Sequence, residues 1–115
     1  LKGEKPQFTK GEQQWDYLFS ADAAEALYLL GVCNNAEGVY TIGSGQAKPL
    51  SEYIFQLRDA IDERVELQLG EIPYSEKQVM YLCADISKLT SDTGFVPKTD
   101  FAEGIKQTVQ WMKTL

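Results

Sequence analysis

The side chains able to carry chemistry in this sequence are arranged sparsely. The turn Gly43-Ser44-Gly45 follows the apolar run Val39-Tyr40-Thr41-Ile42 and has the outline of a phosphate cradle. The third glycine of a dinucleotide fingerprint is absent, so the reading is a plain strand-to-helix bend, where glycine is the default residue. Asp16, Asp22, Asp85 and Asp100 could be taken for hard-metal ligands. Three of them stand at helix starts or turns and Asp16 falls inside a strand pattern, so no metal site is read. The chain contains no histidine, which excludes a Ser-His-Asp triad, a Cys-His pair and any histidine-containing zinc site built from this chain alone. Cys33 and Cys83 lie far apart with no CxxC spacing; a bridge stays open, but two isolated cysteines read better as buried thiols of a cytosolic protein. Lys77 and Gln78, after Pro73, are loop side chains that could touch a substrate, although such residues are usually only solvated.

Those residues need elements to hold them, and the pattern along the chain supplies a mixed α/β order. Residues 6–9 read as extended. Residues 15–19 alternate and are aromatic-rich, which suits a short strand. Asp22-Ala23-Ala24-Glu25 has the form of a capping box for a helix through Ala24, Leu27, Tyr28 and Leu30, with Gly31 as its stop. Residues 39–42 are β-branched and apolar on both faces, as for a strand inside a sheet. Pro49 can begin a helix, and Leu50, Tyr53, Ile54, Leu57 and Ile61 trace its apolar face. Residues 66–72 suggest another strand, ended by Pro73. Asp85 caps a short helix through Leu89, closed by Gly94 and Pro97. Asp100-Phe101-Ala102-Glu103 repeats the capping box, and Phe101, Ile105, Val109 and Met112 form a stripe expected to face the core. A helix follows most strands, the signature of an α/β architecture.

At 115 residues and 43% hydrophobic the chain is long enough for one small core, with a large share of its surface wet. The formal net charge of −6 argues against a nucleic-acid partner, which needs clustered Lys and Arg. The apolar run Leu27-Tyr28-Leu29-Leu30 is cut off by Gly31, so no membrane span is read. The first ten residues do not resemble a secretory leader, and a cytoplasmic location is expected. The chain does not begin with Met, which fits a fragment or a processed product.

Several segments together resemble the extended short-chain dehydrogenases/reductases, the family of NAD-dependent nucleotide-sugar epimerases and dehydratases. They are Gly11-Glu12-Gln13-Gln14-Trp15-Asp16-Tyr17-Leu18-Phe19 running into Ala21-Asp22-Ala23-Ala24-Glu25-Ala26-Leu27, then Gly38-Val39-Tyr40-Thr41-Ile42-Gly43-Ser44-Gly45, then Ala84-Asp85-Ile86-Ser87-Lys88-Leu89. Thr93-Gly94-Phe95-Val96-Pro97 and Phe101-Ala102-Glu103-Gly104-Ile105-Lys106-Gln107-Thr108-Val109-Gln110-Trp111 complete the set. Their order and spacing cover nearly the whole chain. The resemblance implies that residues 1–115 are the C-terminal, substrate-side portion of such an enzyme. It comprises one or more Rossmann-sheet elements, including residues 39–42, and a small mixed α/β domain over the sugar nucleotide. The dinucleotide-binding half would be absent.

The family's chemistry also needs a Tyr-xxx-Lys pair, in which the lysine helps keep the phenol acidic enough to transfer a proton. Four places after Tyr17, Tyr28, Tyr40, Tyr53, Tyr74 and Tyr81 stand Ala21, Val32, Ser44, Leu57, Gln78 and Asp85. None is lysine, so no catalytic residue is assigned, and this portion alone is expected to bind no NAD(P). The resemblance implies arginines, as many family members carry, at the positions of Trp15 and Ser75, and their forks suit a diphosphate. Their replacement puts the usual clamp in doubt; Trp15 could stack on a base, though ordinary packing is the simpler reading. The candidate substrate contacts are therefore Trp15, Ser75, Lys77 and Gln78. In the full enzyme the partner is a nucleotide sugar and the cofactor NAD(P). A homo-oligomer is expected, because residues 39–42 without the rest of their sheet would expose edges that pair with another chain. Two rival readings are a non-catalytic, self-associating module and a reductase of a non-sugar carbonyl compound.

Overall fold

The computed structural model describes residues 4–115. Its elements are β1 (Gln14–Trp15), α1 (Ser20–Val32), β2 (Lys48–Pro49), α2 (Leu50–Ile61), β3 (Tyr81–Leu82), α3 (Ser87–Thr93) and α4 (Phe101–Met112). The three short strands form one mixed sheet in the order β2-β1-β3. β1 runs antiparallel to β2, with Trp15 opposite Lys48, and parallel to β3, with Trp15 opposite Leu82. The mixed α/β class read from the sequence is the class found, but only β1 falls where a strand was read; β2 and β3 lie where none was.

The helices fall into two groups. On one side, α1 and α3 close over a core of Ala26, Leu89 and Phe95, against which Leu18, Leu29, Leu30, Tyr40, Ile42 and Ile86 pack. On the other, α2 packs on α4. There Tyr53 meets Tyr17 edge-on at 4.8 Å and Phe101 at 4.6 Å between ring centroids, an arrangement aromatic rings prefer. Ile54 and Val109 are buried beside them. Gly104 lets the two groups meet: a Cβ there would stand 2.8 Å from the ring of Phe19.

The Asp100 half of the α4 capping box forms as expected, its carboxylate accepting from the Glu103 N–H at 2.9 Å, while the Glu103 carboxylate accepts from the Gln107 amide at 3.1 Å. α2 begins directly after Pro49. Asp85 accepts from the Ser87 N–H and hydroxyl at the head of α3, and Gly94 ends that helix in the left-handed region at φ 75°.

Six expectations need correction. Asp22 does not cap α1, which starts two residues earlier. Its carboxylate, 3% exposed, reaches across the fold to accept the N–H groups of Lys98 and Thr99 at 3.2 and 2.9 Å. The helix-forming run before it extends the first turn, and a distant pair of donors claims the side chain. Gly31 does not stop α1, which continues to Val32 with Gly31 helical; an isolated glycine is tolerated in a helix whose flanks are strong formers.

Residues 39–42 form no strand. Tyr40 and Ile42 turn toward the core while Val39 is 89% exposed. Among the described residues no backbone hydrogen bond joins this segment to a neighbour, and an extended segment becomes a strand only through one. Residues 66–72 likewise make only an isolated bridge, Gln68 to Gln7, with the N–H of Phe8 donating to the Gln68 carbonyl at 3.0 Å and that of Ile72 to the Phe8 carbonyl at 3.0 Å. The extended residues 6–9 are its partner. The strand read over 15–19 is confined to Gln14–Trp15, because beyond Trp15 the chain turns its side chains into the two cores. Both cysteines are free and half-buried rather than buried.

Candidate functional site

The sheet brings two of the four candidate contact residues onto a single acceptor. Pairing of β1 with β3, including the Gln14 N–H donating to the Met80 carbonyl at 2.8 Å, sets Trp15 beside the end of the 73–80 loop. There the Trp15 indole Nε1–H donates to the Val79 carbonyl at 3.1 Å, and the Gln78 side-chain amide donates to the same oxygen at 3.3 Å. Ser75 enters through the backbone: its carbonyl accepts the Gln78 N–H at 3.1 Å, closing a turn. Lys77 sits in that turn, exposed, as does Ser75, while Gln78 and Trp15 are half-buried. The indole has its polar edge engaged and its ring tilted toward Tyr17, 6.5 Å away.

Directly after Trp15, Asp16 forms the most connected polar centre of the molecule. Its carboxylate accepts the Ser44 N–H at 2.9 Å and the Ser44 hydroxyl on one oxygen, and the N–H groups of Gly45 at 3.0 Å and Ala84 at 3.1 Å on the other. Burial on its own would raise the Asp16 pKa, but the Ser44 hydroxyl and the three N–H donors together hold it below the usual carboxylate value. The Gly43-Ser44-Gly45 loop is therefore a cradle for an internal anion. Gly43 has no room for a side chain: a Cβ would stand 2.5 Å from that of Ala84 and 3.0 Å from Asp16 Oδ2. Gly45 takes φ 77°, a conformation that favours glycine. With its N–H groups donated to Asp16, the loop does not fit a dinucleotide phosphate. Tyr53 stiffens the arrangement, its hydroxyl donating to the Trp15 carbonyl at 2.9 Å; desolvation, and then the nearby Asp16 charge, raise its phenol pKa.

The four aspartates do not gather. Asp16, Asp22, Asp85 and Asp100 each serve a different set of protein donors. An open cleft of about 630 Å³ lies elsewhere, between the 4–8 segment, α2 and residues 62–67; it is lined mainly by apolar side chains such as Phe8, Leu57 and Val65 and holds none of the four candidate contacts. Polar groups that converge mark a ligand site better than volume alone, so the candidate surface is the β1–β3 seam. The residue that sequence reasoning missed is Asp16 in its role as hub. The available signal was a carboxylate in a strand pattern together with a Gly-x-Gly turn that had N–H groups and no phosphate to receive them.

No family model matches the chain. A dTDP-glucose 4,6-dehydratase of Escherichia coli is 31% identical over 116 residues, an alignment covering 92% of this chain and 31% of that protein. The chain thus spans about a third of the length of the curated relatives it matches. The solved UDP-glucose 4-epimerase of Thermotoga maritima, determined with UDP-glucose, superposes with a TM-score of 0.85 at 25% identity over 98% of this chain and 36% of the other. The chain belongs to the extended short-chain dehydrogenase/reductase family. It corresponds to the C-terminal part of the family's members. A further member, the dTDP-glucose 4,6-dehydratase of Bacillus anthracis, determined with NAD, shares the fold at a TM-score of 0.82 and 20% identity over 98% of this chain and 36% of the other. As a portion of this family, the chain resembles nucleotide-sugar dehydratases and epimerases, and no helix among its described residues is long and apolar enough to cross a membrane.

Proposed function

We propose that this chain is the nucleotide-sugar-binding portion of an NAD(P)-dependent epimerase, dehydratase or reductase and is catalytically incomplete by itself. The supporting observation is the β1–β3 seam, where Trp15 and the 75–78 turn converge on the Val79 carbonyl. It lies in a chain whose relatives are named for acting on dTDP- or UDP-sugars. Here the seam orients the sugar nucleotide and keeps water from it, which is the positioning share of catalysis. The substrate contacts are Trp15, Ser75, Lys77 and Gln78. NAD(P), when bound, supplies hydride transfer, and its phosphates must be held by residues outside the Asp16 cradle. Calorimetric titration of the natural full-length polypeptide with UDP-glucose and dTDP-glucose is the test. Saturable binding weakened by Trp15→Ala and Gln78→Ala supports the reading. Absence of binding to any nucleotide sugar would sink it and favour a non-sugar carbonyl substrate. The isolated chain, given sugar nucleotide and NAD, is expected to turn nothing over.

A second reading concerns assembly, and the unpaired extended segment 39–42 favours it. Val39 is 89% exposed, and on α1 Leu27, Tyr28 and Val32 are each more than half exposed. Such a surface pairs with another polypeptide edge, and the isolated chain is expected to self-associate. A strictly monomeric species in sedimentation at high concentration would rule this out.

A further inference from the structure

On its other side, β1 is flanked by β2, and there Trp15 faces a cation. Lys48 and Trp15 are opposed Cα partners in the antiparallel ladder. Directly opposed residues put their side chains on one face of the sheet, with Cβ atoms roughly 4.5–5.5 Å apart. Across the parallel ladder Trp15 is opposed by Leu82. Lys48, Trp15 and Leu82 therefore form a transverse row on one face of the sheet. The indole is held at its edge by the Val79 carbonyl, and its backbone by the Tyr53 hydroxyl.

Lys48 is half-buried yet takes no part in the ion pairs found among the described residues, which involve Lys5, Arg58, Arg64 and Lys98. The nearest carboxylate in sequence to this row, Asp16, does not neutralise it. Successive strand residues point to opposite faces, and the Asp16 oxygens are engaged by Ser44, Gly45 and Ala84. The row thus sets a lysine that has no ion-pair partner among the described residues next, across the ladder, to a tryptophan whose indole edge is held. That pairing recognises a ligand carrying both phosphate and a flat or ring-shaped group.

We propose that Lys48 supplies the cationic contact to the diphosphate of the bound nucleotide sugar, with Trp15 as the flat wall alongside it. This rests on the substrate-binding function above and narrows it to one residue. The sequence resemblance sets an arginine at position 15; here the charge has moved one strand over, from β1 to β2. It has also changed from a planar fork to a compact ammonium on a flexible four-carbon stem. The ammonium donates hydrogen bonds to phosphate oxygens, and such charge-assisted bonds are stronger than neutral ones.

The test is made in the natural full-length polypeptide that carries this sequence, with UDP, dTDP and their nucleosides as probes in calorimetry. Lys48→Ala is expected to weaken whichever diphosphate binds by roughly tenfold or more. It should leave nucleoside affinity and melting temperature unchanged, and Lys48→Arg should stay within about threefold of the original. Trp15→Arg combined with Lys48→Ala is expected to recover diphosphate binding, a rescue that a merely structural lysine would not allow. If Lys48→Ala lowers the melting temperature, Lys48→Gln carries the same measurement. Diphosphate affinity unchanged in a folded Lys48 variant overturns the assignment and leaves the broader function standing. Failure of the unmodified protein to bind UDP or dTDP overturns both.

Discussion

Residues 15–16 and residues 39–42 both lie in short stretches read from the sequence as strand, and the structure treats them in opposite ways. The first is claimed from both sides by β2 and β3, and its carboxylate is saturated by donors from two distant loops. The second turns Tyr40 and Ile42 inward and leaves Val39 out, with no ladder on either edge among the described residues. The contrast teaches where this chain is self-sufficient. Its sheet and the Asp16 clasp close with residues of the chain itself, whereas around α1 and residue 39 the apolar side chains of Leu27, Tyr28, Val32 and Val39 stay exposed.

The most severe way to break the self-sufficient side is Asp16→Ala. It would strand the N–H groups of Ser44, Gly45 and Ala84, and leaving such groups unsatisfied costs about 1–3 kcal/mol each when fully buried. At this half-buried site we expect a total loss of about 2 kcal/mol in urea unfolding; an unchanged midpoint would refute the clasp. The same carboxylate gives the chain an acid limb. Its folded pKa lies below its unfolded value, so its contribution is fully present above the unfolded pKa, near 3.8. It is lost as pH falls through the lower folded value. Asp16→Asn should flatten that part of a stability-against-pH curve and leave the pH dependence around neutrality alone.

Gly43→Ala attacks the clasp without touching its charge. Overpacking against Ala84 and Asp16 is expected to cost about 1–3 kcal/mol, read as a lowered melting temperature. Asp22→Asn, on the other side of the fold, should cost about 1 kcal/mol, because the N–H groups of Lys98 and Thr99 both donate to one carboxylate oxygen, and a neutral amide oxygen in its place accepts them more weakly. Its signature is faster amide exchange at residues 98–99 with little change in the sheet. Smallest of all, Val39→Ser should alter monomer stability by no more than about 0.5 kcal/mol while shifting sedimentation toward the monomer. A large destabilisation there would mean that Val39 is packed after all, and the contrast between the two stretches would collapse.

What could be read from the sequence follows the range of the forces involved. Asp100, Asp85 and Gly94 act within a few residues of themselves, and their roles at the ends of α3 and α4 were legible from spacing. The amphipathic stripe of α2 was legible for the same reason. Asp22 carries the identical local signature to Asp100, yet its donors come from 76 and 77 residues downstream; a tertiary bond overrode a local rule. The strand at 39–42 failed differently, since β-branched residues make a strand possible and only a neighbour makes it real. Of the candidate site, the sequence names Trp15 and Gln78 only as residue types at positions. Their meeting on one carbonyl, and the lysine opposite Trp15, depend on strand register and lay beyond any single segment's pattern.

The reach of the Asp16 clasp also bears on how the chain acquires its shape. Its donors lie 28, 29 and 68 residues downstream, so the clasp cannot close before Ala84 has left the ribosome, long after α1 can form. Contacts so remote in sequence are slow to gather, because a large loop must be ordered before they reward it. Helices first and sheet last is the order this geometry implies. A defect at Asp16 would then hasten unfolding more than it delays refolding.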